Sequence, residues 1–311
     1  MVISEIFIQL LIIGASFFIL AYSSDLILFS LKDYAQKLGL SKFLLGFTAV
    51  SIASILPEMI ASIIGAMMGK GEIVFATVFG SNLFKFPMIA AVLFVAKKVG
   101  NDTESIGNAP ILTLFLSLLP LILAYDTNLG RADGVILIIA YLIYLYSFIH
   151  SHQIGKIKKR VALKSLSKDI LIFIGSFVAL ILSARFLLVH TLSFSQVVKI
   201  PFYFLVIVFI GIGASLSQTR VIFRNVVEKK EKLPYGNVLG VMIANSTLVL
   251  GVTSFLRPFT IPVHVLINVG IFVFIGSVVS IYFISKDELN WKHGILFFVF
   301  YLLFLIAQVL V

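Results

Sequence analysis

The sequence predicts an all-α integral membrane protein of ten transmembrane helices, arranged as two inverted five-helix repeats with both termini outside. Three observations carry that expectation. Hydrophobic residues make up 60% of the 311 and charged ones 12%, which is about half the charge of a soluble globule. The apolar runs are long enough to cross a hydrocarbon core of about 30 Å as helices, and too continuous for the alternating strands of a barrel. Once ten spans are counted, the basic residues fall almost wholly on one side of the membrane.

Read between polar or Gly/Pro-rich breaks, the spans are 3–30, 43–69, 73–96, 109–125, 134–150, 169–190, 201–227, 236–256, 261–284 and 293–310. The first is too long for the apolar core of a signal peptide and has no basic segment before it, so it counts as a spanning helix. With the N-terminus outside, the inner loops hold 16 basic residues, while the outer loops hold four: Lys70, Arg131, Lys199 and Arg257. This alternation is the positive-inside pattern, and an error of one helix would scramble it. It also accounts for the net charge of +10 without calling on nucleic acid as a partner. The partners expected are the lipid bilayer of the cell membrane and small inorganic cations. There is no cysteine, hence no disulfide framework, thiolate metal site or thiol nucleophile.

Residues 151–168 read as a basic cytoplasmic connector between a first five-helix repeat, 1–150, and a second, 169–311. An odd number of spans per half makes the halves opposite in topology, and a shift of 160 residues aligns them without a gap. Gly80 then meets Gly240, Leu56 meets Leu216, Ala53 meets Gly213 and Gln36 meets Gln196. Glu58 meets Gln218, and Lys85 meets Asn245. The polar centres of spans 2, 3, 7 and 8 are expected to meet near the bilayer midplane.

Those centres hold the candidate site. Span 2 carries Ser51, Ser54, Pro57 and Glu58. Pro57 removes a backbone donor and crowds the preceding turn, so a helix break is expected near it, with others at Gly211 and Gly213 of span 7. Carbonyls, hydroxyls and a carboxylate are hard oxygen ligands of the kind Na⁺ and Ca²⁺ favour, which makes Glu58 the candidate metal ligand. In span 3, Thr77, Ser81 and Lys85 are spaced by four and share a helix face. Span 7 adds Ser215 and Gln218, and span 8 adds Asn245. Serines and amides are also how spanning helices pack and bond to one another, and for each of them taken alone that reading is the stronger. A mid-span carboxylate is different, because its burial is costly and such groups mark functional paths. Lys85 is too deep to snorkel easily, and its expected partner is Glu58.

These residues resemble a known family. The block Ala53-Ser54-Ile55-Leu56-Pro57-Glu58 is similar to the G-T-S-x-P-E signature of the first α-repeat (here 43–96) of the sodium/calcium exchanger family, in the calcium:cation antiporter superfamily. Ala76 to Lys85 is similar to its G-N-x-x-G-S-N-x-x-N continuation. Gly213 to Gln218 and Gly236 to Asn245 resemble the second α-repeat (here 201–256). The ten-span layout resembles the archaeal and bacterial members. The resemblance implies a secondary active antiporter with alternating access, in which Na⁺ or H⁺ entry drives Ca²⁺ out and no cofactor is needed.

The chain also departs from the family pattern. Gln218 replaces the second glutamate, Lys85 stands where the family has Asn, and Asn245 where many members have Asp. Glu58 and Lys85 sum to zero, whereas two family glutamates would offer −2. High-affinity Ca²⁺ binding is therefore not expected, and the Lys85 ammonium serves as counter-ion or cation surrogate. The candidate transported ions are Na⁺, Ca²⁺ or H⁺. Two alternatives stand: a proton-linked or monovalent cation exchanger, and a transport-inactive homologue with a binding or regulatory role. No phosphate loop, Ser-His-Asp arrangement or paired catalytic carboxylates is present, so an enzyme is not expected.

Overall fold

A helix in lipid satisfies every backbone group within itself, so long apolar runs become rods and the polar breaks become corners. The computed structural model describes residues 2–37, 50–101, 110–151, 163–227, 232–233, 235–284 and 288–310. The helices are α1 (Val2–Lys37), α2 (Val50–Met67), α3 (Gly71–Ala96), α4 (Pro110–Leu123), α5 (Arg131–Ser151), α6 (Leu163–Val198) and α7 (Phe202–Val227). Then come α8 (Tyr235–Ala244), a π-helical turn (Asn245–Val249), α9 (Leu250–Leu256), α10 (Val263–Ile284) and α11 (Trp291–Leu310). Ala244 and Leu250, on either side of the π turn, keep right-handed helical dihedrals. α8, the turn and α9 are therefore one rod. Among the described residues five helical stretches are long and apolar enough to cross a membrane, and four shorter apolar helices accompany them. Pro110 opens α4 at the position where a missing N–H costs nothing.

The packing has a regular order. α1 lies along α6, α3 packs on α7 and α11, α9 packs on α5 and α2, and α4 packs on α10. Adding 160 to a residue number carries α1 onto α6, α2 onto α7, α3 onto the α8–α9 rod, α4 onto α10 and α5 onto α11. The α1–α6 and α4–α10 contacts are thereby carried onto themselves, and the contacts of α3 with α7 and α11 onto those of α9 with α2 and α5. Close glycine crossings follow the same rule to within one position. A Cβ on Gly134 would lie 2.7 Å from the Gly251 carbonyl oxygen, and one on Gly294 would lie 3.3 Å from that of Ala90.

Short strands tie the rod ends. β1 (Lys98–Asn101) pairs with β5 (Glu288–Asn290) and with β3 (Lys232–Leu233), while β2 (Asn128–Leu129) pairs with β4 (Phe259–Thr260). In the antiparallel pairs, Asn128 faces Thr260 and Leu129 faces Phe259; Glu288 faces Gly100 and Leu289 faces Val99. The two registers again differ by 160. Gly71 starts α3 hard against β4, since a Cβ there would sit 1.7 Å from the Thr260 carbonyl oxygen. Only a glycine fits such an approach.

The structure corrects one expectation about the helices. α2 runs unbroken through Pro57, and α7 through Gly211 and Gly213. A proline inside a helix frees one carbonyl without ending the helix when its neighbours hold the rod in place. The two glycines are packing residues: a Cβ on Gly211 would lie 3.2 Å from the carbonyl carbon of Gly80, and one on Gly213 would lie 3.2 Å from the ring of Phe17. The irregular helix is in the second half, at Asn245–Val249.

Candidate ion site

Four rods meet at the centre: α2, α3, α7 and α8 with its π turn. The crossing of Gly80 and Gly211 lets the backbones of α3 and α7 touch. The next turns then come close enough for side chains as short as serine to meet, and Ser81 Oγ lies 3.3 Å from Ser215 Oγ. α2 brings Glu58 to the same level. Its side chain is fully buried, and the Ser81 hydroxyl donates to Glu58 Oε1 at 2.7 Å.

A serine hydroxyl has one proton to give. With that proton directed at Glu58, Ser81 Oγ is an acceptor for its other neighbours, so Ser215 donates to it. Lys85 Nζ does so too, at 3.4 Å. Lys85 also donates to the Ser81 carbonyl at 3.2 Å and to Asn82 Oδ1 at 3.4 Å. It is 1% exposed despite its length. Direct pairing of Glu58 and Lys85, expected from the sequence, is replaced by a bridge through the Ser81 hydroxyl. The reason is local: side chains three and four residues back on the same helix face lie within the lysine's reach, whereas the carboxylate sits on another rod.

Asn82 joins the two halves. Its Nδ2 donates to the Met242 carbonyl at 3.1 Å and to Ser246 Oγ at 3.0 Å. Its Oδ1 accepts from Lys85 and, at 3.1 Å, from Asn245 Nδ2. Asn82 and Met242 are 160 residues apart, as are Lys85 and Asn245. One amide therefore receives the two equivalent residues of the halves on a single oxygen. Asn245 also reaches Glu58 Oε1 at 3.5 Å. Asn82 and Ser246 are absent from the candidates drawn from the sequence. The available signal was the Gly80-Ser81-Asn82 run and the spacing of three between Asn82 and Lys85.

The remaining candidates divide. Ser54 is buried on α2, one turn before Glu58, and Thr77 is buried on α3, one turn before Ser81. The side chains of Ser51 and Gln218 lie outside the described residues. Three buried atoms of the cluster have no hydrogen-bond partner among the described residues: Glu58 Oε2, Thr77 Oγ1 and Asn245 Oδ1. Among those residues no three His, Cys, Asp or Glu side chains gather into a metal-holding group, and Glu58 is the carboxylate of the described hydrogen-bond network. The network holds one carboxylate and one ammonium in a sealed interior. Breaking such a set by removing one charge costs about 3–5 kcal/mol, because the other is left buried and unpaired.

Comparison with known proteins bears on what such a centre does. The family model described as "Sodium/calcium exchanger protein" matches residues 8–150 and 168–310. The chain is similar to the sodium/calcium exchanger MaX1 of Methanosarcina acetivorans, at 22% identity over 96% of this chain and 97% of that one. It is similar to the inner membrane protein YrbG of Escherichia coli, at 23% identity over 80% and 79%. Among solved structures it is similar to an H⁺/Ca²⁺ exchanger, CAX, with a TM-score of 0.79 at 14% identity over 96% of this chain and 82% of that one. It is similar also to the sodium-calcium exchanger NCX_Mj, with a TM-score of 0.65 at 18% identity over 96% and 98%. At such identities the structural likeness is one of fold.

Proposed function

The chain belongs to the sodium/calcium exchanger family, and on that premise we propose that it is a secondary active cation antiporter working by alternating access around the Glu58 cluster. It is a membrane ion transporter and not an enzyme. The observation that carries the reading is the sealed polar network of Glu58, Ser81, Asn82, Lys85, Ser215 and Asn245 where four rods cross. Buried ionisable groups in a membrane protein are expensive, and they mark ion paths by default.

In this reading the ten rods are ten spans forming two inverted repeats, 1–150 and 169–311, joined by a cytoplasmic connector at 151–168, with both termini outside. The recurrence of packing pairs and strand registers at one offset supports the repeat. The basic loops support the orientation. Glu58 is the acceptor for cargo, and Ser54, Thr77, Ser81, Ser215 and Asn245 are its neutral oxygen lining, with Ser51 and Gln218 as further members.

MaX1 and NCX_Mj are named as sodium/calcium exchangers and CAX as an H⁺/Ca²⁺ exchanger, and the charges of this chain argue against Ca²⁺ as its own cargo. At an effective dielectric near 20, a divalent ion about 4 Å from an ammonium meets roughly 8 kcal/mol of repulsion, against roughly 4 for a monovalent one. The neutral sum of Glu58 and Lys85 therefore favours a second reading over Na⁺/Ca²⁺ exchange, namely a monovalent or proton-linked exchanger. Flux in proteoliposomes decides. Ca²⁺ uptake driven by a Na⁺ gradient supports the exchange its relatives are named for, and cation movement driven by a pH gradient without Ca²⁺ supports the second reading. A folded protein silent under both gradients is a transport-inactive homologue, and antiport is then wrong.

A further inference from the structure

We propose that the centre takes one external monovalent cation beside a resident one, the Lys85 ammonium, and that this lysine is what keeps divalent ions out. The inference rests on the reading of the Glu58 cluster as the transport site, and it adds the class of cargo and the number of places for it.

Two groups of oxygens carry the argument. The first is already filled. The Ser81 carbonyl, Ser81 Oγ and Asn82 Oδ1 surround Lys85 Nζ at 3.2, 3.4 and 3.4 Å. Three acceptors use three N–H donors, the full complement of an ammonium. A carbonyl, a hydroxyl and an amide oxygen are also the donors a hard cation takes. The protein has thus placed its own positive charge in an oxygen cup at the centre of the fold. In the other half the equivalent residue, Asn245, is uncharged and directs its amide nitrogen to the same Asn82 oxygen at 3.1 Å. Among the described residues only one half supplies a cation to the cluster.

The second group is open. Glu58 Oε2, Asn245 Oδ1 and Thr77 Oγ1 are buried and without a partner among the described residues, and all three residues are fully buried. Glu58 and Asn245 belong to the hydrogen-bonded cluster, and Thr77 is beside it on α3. Glu58 Oε2 shares a carboxylate with the oxygen that Ser81 binds, and Asn245 Oδ1 shares an amide with the nitrogen that Glu58 and Asn82 accept. Thr77 lies one helical turn from Ser81, on the side away from Lys85. Buried polar atoms left single point to a missing partner, an ion or water. A small cation on these oxygens has one carboxylate to attract it and one ammonium on the far side of Ser81 to repel it. A second positive charge on the cargo doubles the repulsion, and no second carboxylate in the described network answers it.

Binding of ²²Na⁺ and ⁴⁵Ca²⁺ to the purified full-length protein in detergent is the test, followed by ²²Na⁺ flux in proteoliposomes. Wild type is expected to bind one Na⁺ per chain, undisturbed by millimolar Ca²⁺. Lys85→Asn is expected to take up a second Na⁺ in the vacated cup and to bind Ca²⁺ about 100-fold more tightly, while Lys85→Arg keeps the charge and remains indifferent to Ca²⁺. Micromolar Ca²⁺ binding by wild type overturns the inference, and that measurement needs no variant. So does a folded Lys85→Asn protein that gains neither ion. Failure of the transport reading is separate, because wild-type vesicles that bind Na⁺ as expected but carry no flux reject antiport and leave the assignment of the cup standing.

Discussion

The two halves of the centre share a frame and differ in charge. Shifted by 160 residues, α2 and α3 fall on α7 and the α8–α9 rod, and the Gly100–Glu288 pair falls on Thr260–Asn128. Yet the first half holds Glu58 and Lys85, where the second has Gln218 and Asn245. Even the helices differ locally: α3 carries Pro87 just past Lys85, whereas the second half forms a π turn starting at Asn245. Packing of small residues sets the frame, and many side-chain sets are compatible with it. The charges obey a stricter rule, since a buried charge must have its counter-charge or hydrogen bonds nearby. The lesson is that both charges went into one half together.

Breaking that pairing should give the largest effect. Glu58→Gln leaves Lys85 as an uncompensated ammonium and removes the one carboxylate of the described network. Cation flux is expected to fall by about 100-fold or more, with thermal stability in detergent lower by about 3–5 kcal/mol. Flux close to wild type from a folded Glu58→Gln protein would place the transport site elsewhere. Next comes Lys85→Met, which strands the carboxylate and should cost a similar 3–5 kcal/mol in cation-free buffer. Two measurements sharpen it: Na⁺ should restore part of the melting temperature by binding the folded state, and Glu58→Gln in the same chain should restore more than additivity allows. Strict additivity would mean that the two charges do not sense each other through Ser81.

The bridge between the halves comes third. Asn82→Ala leaves the Met242 carbonyl, Ser246, Asn245 and Lys85 each short of a partner, and is expected to cost about 2–3 kcal/mol. Ser246→Ala removes only one of those bonds and should cost about 1 kcal/mol. Equal losses would deny Asn82 its place as the joint. The smallest effect tests the frame alone. A Cβ on Gly211 would lie 3.2 Å from the Gly80 carbonyl carbon, so Gly211→Ala should cost about 1–2 kcal/mol by forcing α3 and α7 apart. It should weaken Na⁺ binding only as far as Ser81 and Ser215 separate.

Much of this fold is legible from the sequence. Apolar runs ended by charged or Gly/Pro-rich stretches become the helices, within three residues at most ends and within eight at α1 and α6, residues 43–49 lying outside the described ones, because a helix satisfies its whole backbone within itself in lipid. The break expected at Pro57 is less legible, since a proline weakens a helix locally while the surrounding rods decide whether it stays straight. The π turn has no signal of its own in Asn245-Ser246-Thr247-Leu248-Val249. Asn82 is not legible as a site residue for a related reason: an asparagine in a spanning helix is usually packing glue, and three of its four partners, Met242, Asn245 and Ser246, are 160 to 164 residues away and reach it only in the folded chain.

The sequence by itself determined the membrane class, the rods, the 160-residue correspondence, and the presence of a carboxylate, Glu58, and an ammonium, Lys85, in the middle of apolar spans. These are properties of composition and spacing, which solvent and helix geometry translate directly. What only the tertiary structure decided is who holds whom. Lys85 rests on Ser81 and Asn82 of its own helix, Glu58 is reached through the Ser81 hydroxyl, and Asn82 ties both to the other half. The physical reason is that hydrogen bonds and buried charges act over about 3 Å, a distance fixed by how closely the rods cross, and at this centre that crossing is set by two glycines with nothing between them.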